Sequence, residues 1–114
     1  GNWINFLETD IEDLVENNQL VFIDITADWC ATCQFNKINV LQSKTIQDAF
    51  NENNIILVRA DWTRPSKEID FFLKKYDKYG IPLNAFFSAK YPNGLLLSEI
   101  LTKKQLIDSI DKIK

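Results

Sequence analysis

Two apolar, β-branched runs constrain the fold of this chain more than any other feature. Residues 20–25 and 55–60 are almost free of polar side chains, which is typical of strands buried on both faces of a parallel sheet. Between them, residues 31–51 follow helical spacing without a proline, and Ser43 is a candidate cap where this helix bends or restarts. Because a strand–helix–strand crossover is right-handed and joins parallel strands, the sequence predicts a βαβ unit.

Five further elements are predicted outside this unit. They are a leading helix near residues 11–15, a helix from 65 to 80, two strands at 83–88 and 95–100, and a final helix from 102 to 113. Pro92 and Gly94 suit the second and fourth positions of a type I turn, which would join the two strands as a hairpin. The sequence therefore predicts an α/β fold, with helices flanking a central four-stranded mixed sheet and an N-terminal helical extension.

The composition fits one domain and excludes several classes of function. The 114 residues are 46% apolar and 25% charged, so we expect a single domain, residues 1–114, whose core needs no disulfide. There is no histidine, which removes Cys-His and Ser-His catalytic pairs and every histidine-ligated metal site. The net charge is −3 and the basic residues are scattered, so nucleic acid is not an expected partner.

The apolar runs are too short to form a membrane-spanning helix. None reaches the roughly 20 residues of a membrane-spanning helix, so we expect the domain itself to be soluble, and we expect a monomer. The sequence also has no methionine and begins at Gly1. We therefore expect a segment excised from a longer protein.

A Cys-x-x-Cys motif lies where the first predicted strand meets the crossover helix. The unpaired N–H groups and the dipole at a helix N-terminus stabilise negative charge, so Cys30 is the predicted nucleophile. Cys33 lies one helical turn deeper and can attack the mixed disulfide that Cys30 forms. The sequence predicts a redox-active disulfide between these cysteines, with no cofactor and no metal.

Other roles for the two cysteines carry less weight. A zinc site needs four ligands where only two thiols exist, and c-type haem attachment needs a histidine where Gln34 stands. A structural disulfide remains an alternative, although so short a loop gives little entropic stabilisation. A binding module with an inert disulfide also remains open.

Three features adjoin the motif. Asp24 interrupts the first apolar run, and a buried carboxylate is costly unless it serves proton transfer, so we expect it to relay protons to and from Cys33. The alternative is that Asp24 lies at a sheet edge or accepts a neighbour's hydrogen bond. Trp29 is expected to form an apolar contact surface beside the dithiol. The bond between Ile81 and Pro82, at the start of a predicted strand, is predicted to be cis.

These residues resemble the thioredoxin superfamily over almost the whole chain. The resemblance rests on Ala-Asp-Trp-Cys-Ala-Thr-Cys at residues 27–33, with Asp24 upstream and Gly-Ile-Pro at 80–82 downstream. It implies the thioredoxin fold and dithiol chemistry. The Ala-Asp-Trp-Cys lead, the following Asn36 and Ala-Asp-Trp-Thr at 60–63 are more narrowly similar to C-terminal domains of the DsbD and ScsB family of transmembrane thiol:disulfide interchange proteins.

The narrower resemblance implies a cellular role. Such a domain lies on the periplasmic side of a bacterial inner membrane, takes electrons from the transmembrane domain of its parent protein, and passes them to the N-terminal domain or to other protein disulfides. The implied catalytic residues are Cys30, Cys33 and Asp24, and the implied substrate contacts are Trp29, Ile81 and Pro82.

One position departs from the family pattern. Relatives often carry a glutamate near the place of Lys37, whereas a lysine there would favour the thiolate of the nucleophile. A free-standing thioredoxin-like reductase is the alternative within the same chemistry.

Overall fold

The computed structural model describes residues 2–114 and has a five-stranded mixed sheet at its centre. Gly1, with which the expected domain begins, lies outside the described residues. The strands are β1 (Trp3–Asn5), β2 (Val21–Thr26), β3 (Ile56–Asp61), β4 (Leu83–Phe87) and β5 (Leu95–Leu96). Their order is β1-β3-β2-β4-β5; β3 runs parallel to both β1 and β2, while β4 runs antiparallel to β2 and β5.

Helices connect the strands and cover both faces of the sheet. They are α1 (Ile11–Glu16), α2 (Ala31–Asn36), α3 (Lys44–Glu52), α4 (Lys67–Lys75) and α5 (Lys103–Ile113). A 3₁₀ turn follows β1 at Phe6–Glu8, and α2 continues as a π-helical turn at Lys37–Leu41. Side chains that accept N–H groups start all five of these helices, namely Asp10, Cys30, Ser43, Ser66 and Thr102. Within residues 2–114, every helix falls short of the length and apolar character that crossing a membrane requires.

The central strand β2 separates two apolar cores. All six of its residues are buried, and successive side chains point to opposite faces. Phe22 packs with residues of α3 and α5, whereas Ile23 and Ile25 pack with residues of α1 and α4. Asp24 alternates with Ile23 and Ile25, so it lies on the same sheet face as Phe22.

Several sequence predictions are confirmed. The first crossover joins β2 and β3 in parallel, α1 lies where the apolar spacing indicated, and the Ser43 side chain caps α3. The hairpin is also present, because the N–H of Gly94 donates to the carbonyl of Tyr91 at 3.1 Å and β4 pairs with β5.

The prediction of a four-stranded sheet was wrong, because Trp3–Asn5 adds a fifth strand at the β3 edge. This strand has only three residues, and two of them are exposed. A half-exposed edge strand of that length carries no alternating apolar pattern, so the sequence offered no periodic signal for it.

Two element ends also differ from the prediction. The fourth helix stops at Lys75 rather than near Gly80, because Asp77 takes a left-handed conformation with φ 54°. The N–H groups of Asp77 and Lys78 then close the helix on the carbonyls of Lys74 and Leu73, as in a Schellman motif.

The last strand, β5, is much shorter than the predicted 95–100 because Asn36 takes the backbone groups that follow it. The Asn36 amide donates to the carbonyl of Glu99 at 2.8 Å and accepts the N–H of Leu101 at 3.0 Å. Asn36 is buried, so its side chain fixes α2 to the segment that precedes α5. The segment therefore leaves the sheet before α5 begins.

This bridge predicts a large loss of stability in Asn36→Ala. The substitution leaves the buried N–H of Leu101 without a partner, which costs about 2 kcal/mol in the free energy of unfolding. Urea denaturation measures the change. Asn39→Ala is the matched control, because the Asn39 side chain is exposed and bonds only within its own helical turn. Equal effects of the two substitutions would contradict the structural role of Asn36.

Candidate active site

The two cysteines form a disulfide at the start of α2. Cys30 is the N-cap residue, and its sulfur accepts the N–H of Cys33 at 3.2 Å. Both residues are buried, with 7% of Cys30 and 3% of Cys33 exposed. The predicted pairing is confirmed. When the disulfide is reduced, the same N–H group and the helix dipole are placed to stabilise a thiolate on Cys30.

The disulfide packs in a small apolar cluster. Ala27, which follows β2, is buried with both cysteines, and Ile81 packs against this cluster. Pro82 is buried, Ile81 is half-buried, and the bond between them is cis, as predicted. The segment before β4 therefore lies directly beside the disulfide.

Trp29 lies next to Cys30 with most of its surface in solvent. Its side chain is 61% exposed, while its indole N–H donates to the carbonyl of Thr63 at 3.1 Å. Its ring also contacts that of Trp62, with centroids 6.1 Å apart. The loop after β3 thus holds the indole N–H edge of Trp29, while most of this side chain, which precedes Cys30 in the chain, faces solvent.

Asp24 is buried between two partners from the neighbouring strands. Arg59 of β3 approaches its Oδ2 atom with both Nε and Nη2 at 3.3 Å. Asn84 of β4 donates to its Oδ1 atom at 2.8 Å. The sheet register places these residues opposite one another, so they form a polar row across three strands.

The environment of Asp24 both raises and lowers its proton affinity. Burial raises the pKa of this carboxyl group above its usual range, and this effect prevails. The charge and hydrogen bond of Arg59, the hydrogen bond of Asn84 and the charge of Lys37 act in the opposite direction. Asp24 therefore has the hydrogen bonds of a structural carboxylate and still has a raised pKa. Its role in proton transfer stays a prediction.

Lys37 contributes positive charge to the same region. Its charge lowers the pKa of Asp24 and also that of Asp61 at the end of β3. The larger causes for Asp61 are the hydroxyl and the N–H of Thr63, which donate to it at 2.5 and 2.9 Å. The charge of Lys37 thus acts on one carboxylate within β2 and on another at the end of β3.

Sequence reasoning missed three residues of this site. Arg59 and Asn84 each interrupt an apolar strand, as Asp24 does, and that shared feature was an available signal. Pairing them with Asp24 required the register of three strands. Thr63, which holds the loop around Trp29, follows β3 in a segment without a periodic pattern.

The arrangement suits exchange between thiols and disulfides. It combines a disulfide at a helix N-terminus with an apolar rim and, in the strand that precedes this helix, a buried carboxylate. Within residues 2–114, no three histidine, cysteine, aspartate or glutamate side chains are grouped as metal ligands.

Comparisons with known proteins agree with this chemistry. A family model described as thioredoxin-like matches residues 2–89. The thiol:disulfide interchange protein DsbD of Pasteurella multocida is 24% identical over 99 residues, which are 85% of this chain and 17% of that protein. DsbD of Pectobacterium atrosepticum is 30% identical over 77 residues, 68% of this chain and 13% of that protein. The chain thus spans less than a fifth of the length of these relatives.

Solved structures show the same fold. The oxidised C-terminal domain of DsbD from Neisseria meningitidis superposes with a TM-score of 0.72 at 18% identity, covering 91% of this chain and 90% of that one. A thioredoxin from Thermus thermophilus gives a TM-score of 0.70 at 15% identity, covering 98% of this chain and 85% of the other. The chain belongs to the thioredoxin-like family and is similar, in both sequence and structure, to the C-terminal domain of DsbD.

Proposed function

We propose that this domain is a protein-disulfide reductase that passes electrons through the Cys30–Cys33 pair. The observation that carries the proposal is the position of the disulfide. Cys30 caps α2, and Ile81 packs against the cluster that Cys30 forms with Cys33 and Ala27, so an apolar substrate contact adjoins the disulfide. A structural staple would need neither the helix N-terminus nor the exposed face of Trp29 beside it.

The first half of the reaction uses Cys30. Its thiolate attacks one sulfur of a substrate disulfide, forms a mixed disulfide, and releases the other substrate sulfur as a thiolate. The N–H of Cys33, which points at the Cys30 sulfur, supports the negative charge before attack. Trp29 and Ile81 offer apolar surface to the substrate chain, with Pro82 shaping the floor beneath it.

The second half uses Cys33 and Asp24. The Cys33 thiol loses its proton to the Asp24 carboxylate, and its sulfur attacks Cys30 in the mixed disulfide. The Cys30–Cys33 bond forms, the second substrate sulfur leaves as a thiolate, and the substrate gains two electrons. The raised pKa of Asp24 supports this role, because a buried carboxylate that is easily protonated can accept and return a proton.

The wider role is a relay within a larger membrane protein. The chain covers 17% and 13% of the length of the two DsbD relatives given above. Its similarity to them supports the proposal that it is a periplasmic domain of a bacterial inner-membrane protein. There it would receive electrons from a transmembrane domain and deliver them to an N-terminal domain or to other protein disulfides. A free-standing reductase would use the same site without those partners.

Cysteine substitutions test the exchange reaction. Cys30→Ser should reduce the rate of reduction of a model protein disulfide to the uncatalysed background, because the remaining thiol, Cys33, is buried and lies inside α2 rather than at its N-terminus. Cys33→Ser should accumulate a mixed disulfide through Cys30, because the resolving thiol is missing. Gel analysis under non-reducing conditions detects the trapped species.

A matched control separates reactivity from folding. Ser88→Ala changes a buried hydroxyl just after β4, at the end of this strand away from Pro82, and should leave the exchange rate within about twofold. Activity retained in Cys30→Ser would refute the proposal. The absence of any mixed disulfide in Cys33→Ser would instead favour a binding module with an inert disulfide.

The raised pKa of Asp24 predicts a pH-dependent stability. Because the folded-state pKa exceeds the unfolded value of about 3.9, the wild type loses stability as the pH rises from there through the folded pKa. The amide in Asp24→Asn cannot ionise, so the variant gains free energy of unfolding relative to wild type over that range. Each pH unit by which the pKa is raised corresponds to about 1.4 kcal/mol.

Chemical denaturation of both proteins at a series of pH values from about 3 to about 8 measures the difference in their free energies of unfolding. Asp28→Asn, an exposed position on the next loop, controls for removal of one charge. A stability advantage of Asp24→Asn over wild type that shrinks, or stays constant, with rising pH would contradict the raised pKa.

A further inference from the structure

A side chain of the edge strand β1, that of Trp3, packs against the polar row formed by Asp24, Arg59 and Asn84. The ring of Trp3 faces the guanidinium of Arg59, with 3.9 Å between the ring centroid and Cζ. The same indole packs edge-on against Phe22, with centroids 6.1 Å apart at 65°. Trp3 is therefore fixed by the core on one side and faces a cation on the other.

Arg59 lies between this ring and the carboxylate of Asp24. Its Nε and Nη2 atoms approach Asp24 at 3.3 Å, while its side chain is 26% exposed. A cleft of about 210 Å³ beside it is bounded by Trp3, Leu41, Phe50 and others. A guanidinium released from the ring would have room to turn away from Asp24, because the cleft gives it access to solvent.

We propose that Trp3 is a positioning residue for disulfide exchange, since it holds Arg59 against Asp24 and so controls how readily Asp24 takes the proton of Cys33. The proposal rests on the proton transfer given under the proposed function. A guanidinium that lies over an aromatic ring loses much of its rotational freedom, so its N–H groups stay directed at a neighbouring carboxylate. Without the ring, the arginine side chain samples other orientations.

Other groups facing Asp24 limit the size of the effect. Asn84 donates to it from β4, and Lys37 acts on it by its charge from the turn after α2. Both interactions persist when Trp3 is changed. Removal of the ring should therefore weaken one of three favourable interactions with the ionised carboxylate and leave the fold of the sheet centre intact.

The direction of the effect follows from the resolving step. Cys33 gives its proton to Asp24 while its sulfur displaces the substrate sulfur from Cys30, so Asp24 must be ionised beforehand. If Arg59 turns away, Asp24 stays protonated to a higher pH. The rise of the resolving rate with pH should then move to higher pH.

Trp3→Leu tests the proposal, because leucine keeps apolar contact with Phe22 and removes the aromatic face. The ¹³C NMR titration of the Asp24 carboxyl group should move upward by on the order of half a pH unit, about threefold in proton affinity. The pH profile of the resolving step should move with it. Arg59→Met should produce a larger upward movement, of about one pH unit or more.

Combined variants separate this mechanism from a general loss of structure. Trp3→Leu added to Arg59→Met should move the Asp24 midpoint no further than Arg59→Met alone. Trp3→Phe keeps an aromatic face and should fall between wild type and Trp3→Leu. In an Asp24→Asn background, Trp3→Leu should leave the pH profile unchanged. If Trp3→Leu does not fold, Trp3→Phe and Arg59→Met still give ordered midpoints.

Three results would overturn the proposal. They are an unchanged Asp24 midpoint in folded Trp3→Leu, additive effects of Trp3→Leu and Arg59→Met, and a moved profile in the Asp24→Asn background. If the Asp24 midpoint moves while the exchange profile stays fixed, the proton-transfer role of Asp24 fails and the proposal fails with it. If the wild-type protein catalysed no disulfide exchange at all, the proposed function itself would be refuted.

Discussion

The parallel pairing of β2 with β3 is the interaction on which the rest of the structure depends. Together with the antiparallel pairing to β4, it places β2 at the centre of the sheet, where apolar cores cover both of its faces. It also places Arg59 opposite Asp24, so that a carboxylate can be buried in the centre of a sheet with an ionic partner. The end of the same strand leads directly to Cys30 at the start of α2.

The parts of the fold that the sequence predicts are those with strong local patterns. The apolar runs of β2 and β3, the turn at Gly94 and the cap at Ser43 each depend on neighbouring residues. The edge strand β1 and the short β5 depend on distant partners. β1 forms only by pairing with β3, and β5 ends because Asn36, far away along the chain, binds the following backbone. No local pattern reports such contacts.

The same distinction applies to the active site. Cys30, Cys33 and the cis bond before Pro82 follow from motifs within a few residues. The polar row requires three strands in register, and its members lie 35 and 60 residues from Asp24 along the chain. Arg59 and Lys37 both place positive charge near that carboxylate, and both lower its pKa. Family resemblance therefore indicates thiol-disulfide exchange, whereas the partners of Asp24 become visible only in the structure.

The reduction potential of the Cys30–Cys33 pair tests the central claim most directly. It is obtained by equilibrating the protein with glutathione or dithiothreitol buffers and counting free thiols. Electron transfer through this pair predicts reversible reduction at a potential between about −120 and about −270 mV, the range of known dithiol oxidoreductases. A potential below about −300 mV, typical of structural disulfides, would contradict it.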